Sequence, residues 1–158
     1  MKKSILVVIC SLFIFNLYAQ DHFNCDSVYL QAKHVIKSDE PCLMTAINYV
    51  LDRPLIDNSE VHKYSMGFVL TWMEKTPEFT FNLNDNVLNL CKDDNLPLFN
   101  IYLSCLAKAA IETKKDYIPA ALKLFVTYLE RPDNKVKQTA KIKKMMAQVK
   151  EGKLEKYM

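Results

Sequence analysis

Hydrophobic side chains recur along most of this chain at intervals of three and four residues, which places them on one face of an α-helix. The clearest stripe, in the middle of the chain, consists of Leu98, Ile101, Tyr102, Cys105, Leu106 and Ala109. Comparable stripes occur within residues 25–36, 43–51, 61–73, 87–91, 118–129 and 142–149. The pattern therefore predicts a series of amphipathic helices.

Polar residues and prolines separate these stripes. Pro54 and Pro77 each follow a helical stripe, and a proline pushes the residue before it out of the α conformation. The segment Arg131-Pro132-Asp133 is expected to end one helix and to cap the last one, which runs to about Lys150. Only residues 79–83 alternate apolar and polar side chains, which predicts a short extended piece.

Such a succession of helices, with short polar turns and no room for a substantial sheet, predicts an all-α protein. We expect a compact array of about six to seven antiparallel helices, because consecutive helices with short connections pack as antiparallel neighbours. The segments Tyr49 to Pro54 and Tyr128 to Pro132 are similar to each other, but no repeat of fixed period links them. A regular repeat array is therefore not predicted.

The N-terminus has the features of a secretory signal peptide. Lys2 and Lys3 precede an apolar run over residues 5–17, and Ala19 supplies a small residue at the end. We predict a signal peptide at 1–19, export to the periplasm or the extracellular space, and a single helical domain at 20–158. A retained membrane anchor is the alternative, although the apolar run is shorter than the ~20 residues of a spanning helix.

Composition excludes several kinds of active site. Gly67 and Gly152 are the only glycines among the 158 residues, so the chain contains neither a glycine-rich phosphate loop nor a G-x-S-x-G nucleophile elbow. His22, His34 and His62 lack the spacing of a helical metal site. The sequence therefore indicates no catalytic residues, no metal and no cofactor.

Four cysteines follow the predicted signal peptide: Cys25, Cys42, Cys91 and Cys105. An exported chain with four cysteines admits disulfides in three pairings, and the alternative is that each is a small buried hydrophobe. Helix geometry makes a bridge between Cys91 and Cys105 unfavourable, since their helices would hold them roughly 10 Å apart. The sequence does not select a pair.

Charge is distributed unevenly. Residues 131–158 carry nine basic and three acidic side chains, whereas residues 20–130 carry ten basic and fifteen acidic ones. We predict that the basic C-terminal helix docks on the acidic remainder through Ile142, Met145, Met146 and Val149. The alternative is a surface for anionic lipid headgroups or polymers. Nucleic acid is not an expected partner, because an exported chain close to neutral offers it little attraction.

The segment from Trp72 to Phe81 reads W-M-E-K-T-P-E-F-T-F and contains the only tryptophan. It resembles the W-M-x-x-T-P-[DE]-[FY]-x-F signature of an uncharacterised family of small exported bacterial helical proteins, and residues 134–157 are also similar to that family's ending. The resemblance implies an exported helical domain and no particular activity.

Two interpretations of this segment are open. In the first, the helix stops before Pro77 and the following phenylalanines cover the core beside Trp72. In the second, the segment forms a recognition groove for a partner. The binding residues would then be Trp72, Thr76, Pro77, Glu78 and Phe79. The favoured function is a non-enzymatic exported domain that binds a protein or an envelope component. The alternative is an enzyme or enzyme inhibitor whose site is assembled from residues distant in sequence.

Overall fold

The structure is a computed structural model that describes residues 40–57, 59–92 and 96–158. Within these ranges it is all helical, with six α-helices and no strand, which confirms the predicted class. The helices are α1 (Glu40–Asp52), α2 (Glu60–Lys75), α3 (Asp85–Leu88), α4 (Leu96–Thr113), α5 (Tyr117–Glu130) and α6 (Ala140–Lys150). The predicted signal peptide and the helix predicted within residues 25–36 lie outside the described residues.

Local sequence sets several of the helix ends. The Ser59 hydroxyl accepts a hydrogen bond from the backbone N–H of His62 and so caps α2. Asn84 caps α3 in the same way through the N–H of Asn86. At the other end of α2, the N–H of Thr76 still donates to the Trp72 carbonyl, but Thr76 is extended because Pro77 follows it.

Helix α4 is the centre of the molecule. Each residue of its predicted stripe, from Leu98 to Ala109, is at most 1 % exposed. Its opposite side is also buried at Leu103, Ala107 and Ala110, because α4 packs against α5 on one side and against α1 and α2 on the other. A helix with neighbours on two sides needs apolar residues around most of its circumference, and the sequence of α4 supplies them.

The buried face of α2 agrees with the stripe predicted within residues 61–73 at Phe68, Val69 and Trp72, but not at Tyr64. Tyr64 has the helical spacing of this stripe, yet its side chain is 61 % exposed, while the polar His62 and Ser65 are buried. The Ser65 hydroxyl donates to the Val61 carbonyl at 2.8 Å, which satisfies it within the helix. The buried face therefore includes two polar positions that the hydrophobic spacing did not predict.

The predicted start of the last helix was wrong. Residues Pro132–Asn134 form a 3-10 turn, and α6 begins only at Ala140, after the Thr139 cap. The reason lies in the end of α5: the side-chain amide of Asn134 donates to the Tyr128 carbonyl at 2.6 Å, and that of Gln138 donates to the Leu129 carbonyl at 3.0 Å. These amides hold the connecting segment against α5, so that the next helix begins several residues later than predicted.

The predicted docking of the last helix is confirmed. Its four apolar residues, Ile142, Met145, Met146 and Val149, are buried in the main core cluster. In the part of the chain that the structure describes, no helix combines the length and apolar character needed to cross a membrane.

Candidate functional site

Four aromatic side chains meet where α2 ends. They come from α2, from the irregular segment that follows it and from the first turn of α5, and they are Trp72, Phe79, Phe81 and Tyr117. We call this group the aromatic corner. Residues 79–83, predicted as a short extended piece, form no helix and no strand. The ring contacts of Phe79 and Phe81 with Trp72 hold this segment against the helices.

Trp72 forms the floor of the aromatic corner. It is 2 % exposed and belongs to the core cluster shared by α1, α2 and α4. Its ring centroid lies 5.8 Å from that of Phe79 and 5.9 Å from that of Phe81. The two phenylalanines are half-buried and lie 6.2 Å apart, distances at which aromatic pairs attract each other beyond their burial alone.

Tyr117 closes the other side of the group. Its ring meets those of Phe79 and Phe81 edge-on at 6.4 and 5.6 Å. Its hydroxyl donates a 2.6 Å hydrogen bond to the Thr80 carbonyl, between the two phenylalanines. Burial raises the pKa of Tyr117, so the hydroxyl keeps its proton for this bond at neutral pH. The bond ties the irregular segment to α5.

A pair of opposite charges borders the rings. The Lys114 ammonium lies 5.6 Å from the centroid of Phe79 and 3.2 Å from the Glu40 carboxylate at the start of α1. Lys114 and Asp116 both have positive φ, 60° and 47°, in the turn between α4 and α5. That conformation is unfavourable for residues with a side chain, and Thr113 supports the turn by donating to the Lys115 carbonyl at 2.9 Å.

The structure brings some predicted binding residues together and leaves others apart. Trp72 and Phe79 are in contact, but Trp72 lies beneath the surface. Pro77 and Glu78 are exposed, and the Thr76 hydroxyl accepts the N–H of Glu78 at 3.3 Å within the turn. Sequence reasoning missed Glu40, Lys114 and Tyr117, because no local pattern connects them with Trp72.

A second polar group lies at the start of α2. Nδ1 of His62 is buried without a hydrogen-bond partner and lies 4.0 Å from the Asp57 carboxylate. Burial lowers the pKa of His62, and Arg53 nearby adds to this effect while Asp57 opposes it. Desolvation raises the pKa of Asp57, but the hydrogen bonds from Ser59 and the charges of His62 and Arg53 outweigh it and lower the pKa overall. His22 and His34 lie outside the described residues.

The cysteines divide into two kinds. Cys42 is disulfide-bonded, and its partner lies outside the described residues. Cys91 and Cys105 are free and buried, in agreement with the expectation that these two do not bridge easily. Burial raises the pKa of the Cys91 thiol to about 12 and that of Cys105 further still. Neither thiol is a nucleophile at neutral pH.

Among residues 40–57, 59–92 and 96–158, no group of three or more His, Cys, Asp or Glu side chains is placed to hold a metal ion. The chain matches no protein-family model, no curated protein and no solved structure.

Proposed function

We propose that this protein is an exported, non-enzymatic helical domain that binds a protein or another component of the cell envelope through the aromatic corner. The observation that carries the proposal is the position of Phe79, which is half-buried on the Trp72 floor and bordered by Lys114 and Glu40. Aromatic side chains surrounded by a polar rim are frequent hot spots of protein interfaces. Export is proposed from the N-terminal sequence.

Rigidity is the second argument. Phe79 and Phe81 are held by Trp72, by Tyr117 and by the hydrogen bond between Tyr117 and Thr80. A partner that contacts this surface would order few side chains on binding, which reduces the entropic cost of association. The turn at Lys114 and Asp116 also concentrates unfavourable backbone conformations beside the corner, as functional surfaces often do.

Photo-crosslinking tests the proposal. Phe79 is replaced by p-benzoylphenylalanine, which keeps the aromatic ring, and the purified protein is irradiated in an envelope extract and analysed by mass spectrometry. We expect a discrete crosslinked partner from position 79. The matched control carries the same photoreactive residue at Tyr64, which is exposed on α2 outside the corner. Equal crosslinking from both positions, or none from position 79, would contradict the proposal.

A substitution provides a second readout. Phe79→Ala should abolish capture of that partner, whereas Leu83→Ala should leave it unchanged, because Leu83 is a partly exposed apolar residue outside the ring contacts. Melting temperatures of both variants establish that the loss is not due to unfolding. Retention of the partner by folded Phe79→Ala protein would argue against the aromatic corner.

The enzyme alternative has one specific observation in its favour, the Asp57–His62 pair. Burial lowers the pKa of His62, and the side chain faces a carboxylate. A neutral histidine oriented by a carboxylate can act as a general base. However, the 4.0 Å separation exceeds a hydrogen bond, and Oδ1 of Asp57 already accepts the Ser59 N–H. Turnover of hydrolase substrates that disappears in His62→Gln would favour an enzyme over a binding domain.

A further inference from the structure

The docking of α6 leaves a set of lysines on the outside of the molecule. The apolar side chains of α6 face the core, and Lys141, Lys143 and Lys144 lie on the remaining circumference, where all three are exposed. Lys135 and Lys156 are exposed on either side of the helix in sequence. We call Lys141, Lys143 and Lys144 the lysine face; Lys135 and Lys156 add positive charge in the flanking segments.

The lysine face is not used to hold the helix in place. Lys150 is the α6 residue that forms an ion pair with the body, through Glu130 of α5, and the acidic Asp133 and Glu151 are paired with Arg131 and Lys153. Within the described part of the chain, Lys141, Lys143 and Lys144 form no ion pair. Apolar burial therefore docks α6, and most of the positive charge of the segment stays in solvent.

We propose that the lysine face binds electrostatically to a bilayer surface rich in anionic phospholipids. Residues 131–158 carry nine basic and three acidic side chains, and a cluster of four to eight lysines is attracted to such a surface. Lysine ammonium groups act as point charges and suit headgroup phosphates that have no fixed register. The lysine face shares no residue with the aromatic corner, and this proposal does not rest on the function proposed for that corner.

The buried stripe determines the mode of binding. Because Ile142, Met145, Met146 and Val149 are buried in the core cluster, α6 has no apolar face to insert between lipid chains. Attachment is therefore peripheral and weakens as salt screens the charges. A duplex nucleic acid, whose phosphates would also attract lysine, is the competing ligand that the experiment must separate.

Vesicle co-sedimentation of the purified full chain tests the proposal. The probes are vesicles of phosphatidylcholine alone and vesicles that also contain phosphatidylglycerol. The test variant is K141Q/K143Q/K144Q, and the matched control K92Q/K115Q/K123Q removes the same charge from three exposed lysines elsewhere. We expect binding only to the anionic vesicles, a fall of about 100-fold for the test variant at about fivefold per lysine, and a much smaller change for the control.

Further measurements make the outcome decisive. The variant K141R/K143R/K144R should retain binding, and all variants should melt at the wild-type temperature because the side chains are exposed. Equal losses in the test and control variants, binding that persists at high salt, or no binding to anionic vesicles would each overturn the proposal. Lysine-dependent binding to duplex DNA without binding to vesicles would also overturn it.

Discussion

The guanidinium of Arg131, at the end of α5, donates a 2.8 Å hydrogen bond to the Asp52 carbonyl and a second bond to that of Leu51, both at the end of α1. The Tyr128 hydroxyl of α5 donates in the same direction, to the Arg53 carbonyl at 3.1 Å. The two similar sequence segments, Tyr49 to Pro54 and Tyr128 to Pro132, are therefore side by side in space. Each segment also contains a cation–π contact between an arginine and a tyrosine. The guanidinium carbon of Arg53 lies 4.7 Å from the ring centroid of Tyr49, and that of Arg131 lies 5.6 Å from the ring centroid of Tyr128.

Removing the Arg131 cap should destabilise the protein. Arg131→Leu leaves the last carbonyls of α1 without their charged donor, and we expect a loss of about 1–3 kcal/mol in the free energy of unfolding, measured by urea denaturation. Asp133→Asn is the control: it weakens the exposed ion pair with Arg131 but keeps both carbonyl bonds, so its effect should be clearly smaller. Equal effects would mean that the carbonyl bonds contribute little.

Shortening a core residue of α6 should test how firmly that helix is docked. Met145 is fully buried, so Met145→Ala should lower the free energy of unfolding by about 2–5 kcal/mol through lost burial and a residual cavity. The neighbouring Lys144 is exposed, and Lys144→Ala should change stability by less than about 0.5 kcal/mol. A Met145→Ala protein as stable as the wild type would show that α6 contributes little to the fold.

Cysteine reactivity should separate the two kinds of cysteine. Cys91 and Cys105 are buried, and the pKa of Cys91 is raised to about 12, so iodoacetamide should modify neither in the native protein at neutral pH. Both should react after denaturation, and Cys42 only after reduction as well. Peptide mass spectrometry measures each site separately. Native labelling of Cys105, the more deeply buried of the two, would contradict the packing of α4.

His62 should make stability depend on pH. Burial lowers its pKa below the ordinary 6.5, so the unfolded chain takes up the proton first as the pH falls. The contribution of neutral His62 is complete above about pH 6.5 and is lost as the pH falls through that value towards the folded-state pKa. Unfolding measured between about pH 7.5 and about pH 5 should show this slope in the wild type and a weaker slope in His62→Gln.

Asp57, the carboxylate that faces His62, keeps its charge through that interval, because its pKa is lowered from 3.8. Identical slopes in the wild type and His62→Gln would show that another group titrates.

Helices and their ends could be predicted because they depend on neighbours a few residues apart. The stripe from Leu98 to Ala109, the Ser59 cap and the break before Pro77 all rest on contacts within one or two turns. The same locality brought Phe79 to Trp72, since the chain reverses within a few residues. That much of the aromatic corner was accessible to sequence reasoning.

Tertiary structure alone decided which distant residues complete each site. Tyr117 and Lys114 reach Phe79 because α5 packs beside α4 and the turn between them opens towards α1. Arg131 reaches the Leu51 carbonyl because the ends of α1 and α5 lie side by side. The side chain of Asn134 binds a carbonyl at the end of α5, so that α6 begins later than the sequence predicts. Hydrophobic period and capping are properties of a single helix, whereas these contacts depend on how helices lie against one another, which side-chain packing determines and no local pattern encodes.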